Sequence, residues 1–230
     1  MIADDIGTDY FGCYEDHADT VDLPNVRKLL AKGVRFQNVW SNPVCSATRA
    51  GILTGRYSFR TGVGGIVNGI GGSGTIDSAE ITIPKLLKTY NTNIAKAQVG
   101  KWHLTTEAAN RVLYPNKMGF DFFYGYNCQL RAHDYYPGHL WRNDQVVPLD
   151  GKTYSHELIA NEALDFIRRS QDRPFFLFAA FTLPHQKLQV PSKAPYENEA
   201  WPENLKTVAA MITLLDTDVG RIMALLTALK

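Results

Sequence analysis

Cys45-Ser46-Ala47-Thr48-Arg49-Ala50-Gly51 sets a thiol and a guanidinium four residues apart. On a helix that spacing puts both side chains on one face. The first turn of a helix adds unpaired N–H groups and the positive end of its dipole, which favour an anion. A nucleophile, a cation and an anion-accepting backbone therefore meet at one place, a site suited to a negatively charged tetrahedral group. Three other clusters carry chemistry. Asp4-Asp5 offers two hard carboxylates which, in the turn after a strand, can converge on Ca²⁺ or Mg²⁺; alone, such a pair reads first as a solvated acidic turn. Lys101 and His103 flank Trp102, and in an extended segment residues two apart share a face, so both would point together. His185 follows Pro184, which fixes the approach of the chain; its imidazole could donate a hydrogen bond or a proton at a strand end.

The elements that must position these groups alternate between strand-like and helix-like segments, which predicts an α/β fold: an α/β/α sandwich around a largely parallel mixed sheet. Residues 1–3 read as the stub of a strand ending at Asp4-Asp5. Residues 22–32 read as a helix, with Pro24 in its first turn and Gly33 at its end. Residues 34–40 are β-rich, 46–54 form the helix behind the cysteine, 83–90 a helix, 93–99 a strand, 154–169 an amphipathic helix, 174–182 a buried strand, and 205–229 a long helix with a bend expected near Gly220. Residues 62–74 hold seven glycines and lack the Gly-Lys-Ser/Thr ending of a phosphate-binding loop. Residues 111–148, rich in aromatics and turn residues, read as an inserted surface region. There Tyr126, Asn127, His133, Asp134, Tyr135, Tyr136 and Trp141 suit a sugar ring or a self-packed loop equally. Asp216 and Asp218 read as part of a solvated helix face. His17, His139 and His156 have no motif context.

In open α/β sheets ligands sit beyond the carboxyl ends of the strands. Asp4-Asp5, Lys101 with His103, and His185 follow three separate predicted strands, which points to one shared rim. A 45% apolar fraction supports a real core in one large domain or two small ones, and a net charge of +1 argues against nucleic acid or a membrane surface as partner. No apolar run approaches a membrane span, and no secretory signal opens the chain. Of the three cysteines, Cys13 and Cys128 could pair once Cys45 is set aside, but two cysteines make no framework.

These residues carry a family resemblance. Cys45-x-Ala47-x-Arg49 resembles the sulfatase modification sequence, where proline more commonly stands at the position of Ala47, and Gly51-Ile52-Leu53-Thr54-Gly55-Arg56-Tyr57 continues the match. Ile2-Ala3-Asp4-Asp5-x-Gly7 is similar to the family's opening, Gly100-Lys101-Trp102-His103-Leu104 to its second motif, and Leu183-Pro184-His185 to its third. The resemblance implies an alkaline-phosphatase-like fold and hydrolysis of a sulfate ester, with a glycan as the expected substrate. It implies that Cys45 is oxidised to formylglycine by a maturation enzyme. Asp4, Asp5 and the group derived from Cys45 would bind Ca²⁺, with Mg²⁺ as the alternative. Arg49 would brace the hydrate, Lys101 and His103 would bind sulfate oxygens, and His185, with Lys101, would protonate the leaving oxygen. Expected partners are a sulfated small molecule or saccharide and the maturation enzyme, with no nucleic acid and no membrane. Family members are mostly periplasmic or extracellular. The family's later Asp-Asn metal pair and further lysine are not in this sequence, so residues 1–230 are expected to be the N-terminal portion of a sulfatase catalytic domain, truncated at both ends and weakly active or inactive alone. Two alternatives stand beside this reading: a phosphate-ester hydrolase of the same superfamily, and a non-catalytic fragment that binds an anion or a metal.

Overall fold

The computed structural model describes residues 1–14, 21–68, 74–106 and 114–229. His17, residues 69–73 of the glycine-rich loop and residues 111–113 of the aromatic segment lie outside them. In chain order the helices are α1 (Pro24–Leu30), α2 (Cys45–Thr54), α3 (Ser58–Thr61), α4 (Ile83–Tyr90), α5 (Tyr114–Lys117), α6 (Ser155–Arg169) and α7 (Glu203–Ala228). The strands are β1 (Ala95–Lys101), β2 (Phe122–Tyr126), β3 (His139–Arg142), β4 (Gln145–Pro148) and β5 (Phe175–Ala180). The chain divides into two compact units, one of residues 1–2 and 41–181, the other of residues 3–40 and 182–230.

The first unit holds a five-stranded mixed sheet in the order β4-β3-β2-β1-β5, with β5, β1 and β2 parallel and β3 and β4 antiparallel. Ile2 adds a single parallel bridge to Ala180, all that forms of the predicted first strand. Period-two side-chain alternation divides β5 between two layers. Phe175 and Leu177 pack with Phe166 of α6, Ala95, Ala97 and Phe122. Phe176, Phe178 and Ala180 pack on the other face with Ala50 and Leu53 of α2, Trp102, Phe120 and Phe123. Helices therefore cover both faces, the predicted α/β/α sandwich. Every residue of β1 is buried, including Lys96, whose ammonium pairs with Asp121 at 2.8 Å. The motif strand is thus central.

Two sequence expectations are corrected here. Residues 122–148 are no surface insertion: they supply β2, β3 and β4, and Phe123, Tyr126, Tyr135 and Leu140 are fully buried. Asn143-Asp144 forms the tight turn between β3 and β4, and residues 127–138, with a 3-10 turn at Arg131–His133, link β2 to β3. Residues 34–40, expected as β-rich, form no strand, and Val34, Phe36, Val39 and Trp40 are exposed. β-branched and aromatic residues favour a pleated surface only where a neighbouring strand and a packing face exist.

In the second unit, α1 packs against α7. No side chain of the residue preceding α1 caps it. Instead the Asp216 carboxylate, from α7, accepts from the Asn25 and Val26 backbone N–H groups at 3.1 and 2.8 Å and from Asn25 Nδ2 at 2.8 Å. Asp216 and Asp218 are therefore buried, not part of a solvated face; Asp218 accepts from Arg221. Gly220, expected at a bend, lies inside a continuous helix where a Cβ would stand 2.6 Å from Asn25, so its role is close approach of α1. Asp216→Ala is expected to lower stability by about 2–3 kcal/mol, because it strips charge-assisted bonds from orphan N–H groups at a helix start. The midpoint of urea unfolding measures this, and an unshifted midpoint would refute the capping role. Among the described residues no helix is long and apolar enough to cross a membrane.

Candidate active site

Cys45 is the first residue of α2, and the residue before it is extended and offers no side-chain cap. The first-turn N–H groups of α2 are thus left for other partners. Three side chains converge on the Cys45 sulfur. His103 Nδ1 lies 3.1 Å away, Lys101 Nζ donates at 3.7 Å, and the thiol faces Gln129 Oε1 at 3.6 Å. Lys101 and His103 are wholly buried. The structure therefore joins Cys45, Lys101 and His103 as the sequence predicts.

It does so by a different geometry. Lys101 is the last residue of β1, and His103 has left the strand, with φ +57°. The left-handed region is uncommon for non-glycine residues, and such residues cluster at functional sites. A sharp turn, not a shared strand face, aims the imidazole at the sulfur. Several contacts hold this turn. Trp102 N–H donates to Tyr126 O at 2.8 Å, and Gln98 Nε2 donates to Lys101 O at 3.2 Å. Arg49 Nη1 donates to the same Lys101 carbonyl. Arg49, expected against the nucleophile, is committed by this bond to the strand end that carries Lys101; it is 2% exposed.

Asp4, Asp5 and His185 belong to the second unit. Asp4 is buried, and its N–H donates to Leu183 O at 3.0 Å. Asp5 takes a left-handed backbone, φ +58°, and its carboxylate meets His185 Nε2 at 3.0 Å. His185 Nδ1 lies 2.8 Å from Gln186 O, so both ring nitrogens face oxygens. The structure thus brings Asp5 and His185 together in a direct contact. Hard carboxylates are the donor type that Ca²⁺ and Mg²⁺ prefer. Among the described residues, however, no group of three or more His, Cys, Asp or Glu side chains is placed to hold a metal ion. The donors fit such a cation in kind and fall short of it in number.

Sequence reasoning missed two residues. Ser46 is fully buried beside His103; only its place next to Cys45 pointed to it. Gln129 sits just past β2, in a segment read for its aromatic rings. Those rings are largely structural: Tyr126 and Tyr135 are core residues, and burial holds the Tyr126 phenol well above its usual range. Asn127 is buried, with no hydrogen-bond partner for Oδ1 among the described residues. Among the described residues Cys13, Cys45 and Cys128 form no disulfide.

Sequence comparisons with known proteins point to one family. A family model described as Sulfatase matches residues 1–230. Arylsulfatase H of Canis lupus familiaris is 37% identical over 169 residues, covering 65% of this chain and 29% of that protein. N-acetylgalactosamine-6-sulfatase of Sus scrofa is 30% identical over 257 residues, covering 100% of this chain and 46% of that protein. The crystal structure of Ps i-CgsB in complex with k-i-k-neocarrahexaose superposes with a TM-score of 0.85 at 26% identity, covering 99% of this chain and 54% of that one. The chain thus spans less than half the length of the curated relatives it matches.

Proposed function

We propose that this chain, which belongs to the sulfatase family, carries the nucleophile end of an active site that hydrolyses a sulfate ester on a saccharide. The observation that carries the proposal is the convergence of Lys101 Nζ and His103 Nδ1 on Cys45 at the first turn of α2. Two relatives support the saccharide: one is named for N-acetylgalactosamine-6-sulfate chemistry and one was solved with an oligosaccharide bound.

The barrier in sulfate monoester hydrolysis is charge developing on the departing oxygen, and fixed cations with a positioned acid lower it. A formylglycine hydrate at position 45 would supply two hydroxyls, one to attack sulfur and one whose proton loss lets sulfate depart and restores the aldehyde. Lys101 and His103 would grip the sulfuryl oxygens with nitrogens already turned toward the side chain of residue 45. Arg49 would keep that strand end in register through Lys101 O. His185 would hand a proton to the leaving alcohol. Asp4 and Asp5 would contribute carboxylates to a divalent cation, calcium by preference, which would polarise sulfate oxygens.

Mass spectrometry of the Cys45 peptide, from protein produced in its native host, tests the proposal. Conversion to formylglycine lowers the residue mass by about 18 Da, whereas sulfenic or sulfinic oxidation raises it. The expected result is the lighter peptide, together with turnover of an aryl sulfate in preference to the matching aryl phosphate. An intact thiol in that peptide would overturn the reading.

A further inference from the structure

Gln129 stands where the core gives way to the rim. Asn127 and Cys128 before it are buried, Leu130 after it is exposed, and Ala132 is buried again. The link from β2 to β3 is fastened around Gln129 without its side chain. Ala132 N–H donates to Gln129 O at 3.0 Å, Tyr126 donates to Asp134 O at 2.7 Å, and Ser155 N–H donates to Tyr135 O at 2.9 Å. Among the described residues the Gln129 amide has one partner, Cys45 Sγ, 3.6 Å from Oε1. A half-buried amide that holds no part of the fold and reaches the nucleophile calls for a role there. The three side chains on the sulfur differ in what they can do. Lys101, as an ammonium, only donates; an imidazole nitrogen donates or accepts according to where its proton sits; an amide oxygen only accepts. Gln129 Oε1 is therefore the partner that accepts in every protonation state of the other two.

We infer that Gln129 is a positioning residue whose amide oxygen holds the proton of residue 45: the thiol's in the unmodified chain, and that of one hydroxyl once the residue is a formylglycine hydrate. Turning the amide over would set three nitrogens around one sulfur and leave its proton to the imidazole alone. The consequence for the hydrate rests on the proposed function; the bond to the thiol does not. A hydrate carries two hydroxyls, and one of them attacks. A carbonyl oxygen repels an anionic oxygen, whereas the Lys101 ammonium favours one. The hydroxyl beside Gln129 would therefore keep its proton through the attack, and the oxygen beside Lys101 would bond to sulfur. The kept hydroxyl is the one whose later proton loss expels sulfate. Gln129 would thus sort two chemically equal hydroxyls into nucleophile and spectator.

The test is the S–H stretching band of Cys45 in the Raman spectrum of the chain produced without maturation, identified by its loss in Cys45→Ala. Hydrogen bonding to an acceptor lowers this stretch. The wild-type band is expected below that of an aliphatic thiol in an apolar solvent. It should move up in Gln129→Leu and return in Gln129→Glu, which keeps an oxygen at that place; Gln129→Ala serves if the leucine variant does not fold. A band unmoved in Gln129→Leu, a band that moves up in His103→Gln instead, or no S–H band at all overturns the inference. In aryl sulfate turnover by the matured protein, Gln129→Leu should lower kcat roughly 3–10-fold with little change in KM, the scale of one lost hydrogen bond. An unchanged kcat beside a shifted band would strike the role in the hydrate. A shifted band in a protein that hydrolyses no sulfate ester would sink the proposed function and leave the bond between Gln129 and the thiol standing.

Discussion

Cys45→Ala is expected to abolish sulfate-ester turnover, lowering kcat by about six orders of magnitude, the scale seen when the nucleophile is removed from a group of residues that acts as a unit. Lys101 and His103 would still bind the sulfuryl oxygens, so substrate affinity should survive while turnover does not. Cys45→Ser makes a sharper test. A serine hydroxyl can attack sulfur: its oxygen bonds to sulfur, the ester S–O bond breaks, and the alcohol leaves with a proton. The product is a sulfated serine with no second oxygen on its carbon, so nothing can expel sulfate. The variant should therefore release at most one equivalent of alcohol and gain about 80 Da at residue 45. Intact-mass spectrometry after incubation with an aryl sulfate reads this directly. Repeated turnover by Cys45→Ser would refute the need for two hydroxyls, and undiminished activity in Cys45→Ala would remove Cys45 from the reaction.

The residues of the site were more legible in the sequence than the way they are held. Cys45, Lys101, His103, Asp5 and His185 are polar side chains next to predicted strand or helix ends, where local pattern is informative. Each contacts another predicted residue of its own unit. The supporting contacts depend on long-range pairing. Gln129 reaches Cys45 across 84 residues, and Val67 reaches Ser46 across 21 through a glycine-rich stretch without periodicity. Arg49 shows the limit of spacing arguments. Helical periodicity set it on the face of Cys45, and it donates to the carbonyl of Lys101, a residue 52 positions away whose ammonium meets that cysteine, a pairing no spacing argument could foresee. The misread parts of the fold share one cause. Residues 122–148 look like loops because their strands are short and the link between β2 and β3 is long and ends in Pro137-Gly138. Residues 34–40 look like a strand because propensity was read without a pairing partner. Asp216 looked solvated because a helix face alone does not reveal that a second helix starts beneath it.

Gly100→Ala is expected to cost roughly 2–5 kcal/mol, enough to unfold a marginal domain, because two penalties add. Gly100 has φ +95°, a backbone that L side chains avoid at a cost of roughly 1–2 kcal/mol. A Cβ there would also stand 2.1 Å from Ala180 O and 2.7 Å from Ala180 C. Both are backbone atoms of β5, which pairs with β1 through six registered residues, so the neighbour cannot swing aside. Overpacking of this kind adds roughly 1–3 kcal/mol. Gly125, opposite Gly100 in β2, is equally tight: its Cβ would stand 2.1 Å from Gly100 O. The paired glycines let three strands close on the point where β1 turns toward the site, one residue before Lys101. Gly138→Ala is the control. A Cβ there meets nothing within 4 Å and its φ is ordinary, so it should be neutral or stabilising by about 0.4–1 kcal/mol through the unfolded chain. Chemical denaturation of the three proteins compares them. If Gly100→Ala unfolded at the wild-type midpoint, β1 would have room to move, and the fixed placement of Lys101 and His103 against Cys45 would lose its structural basis.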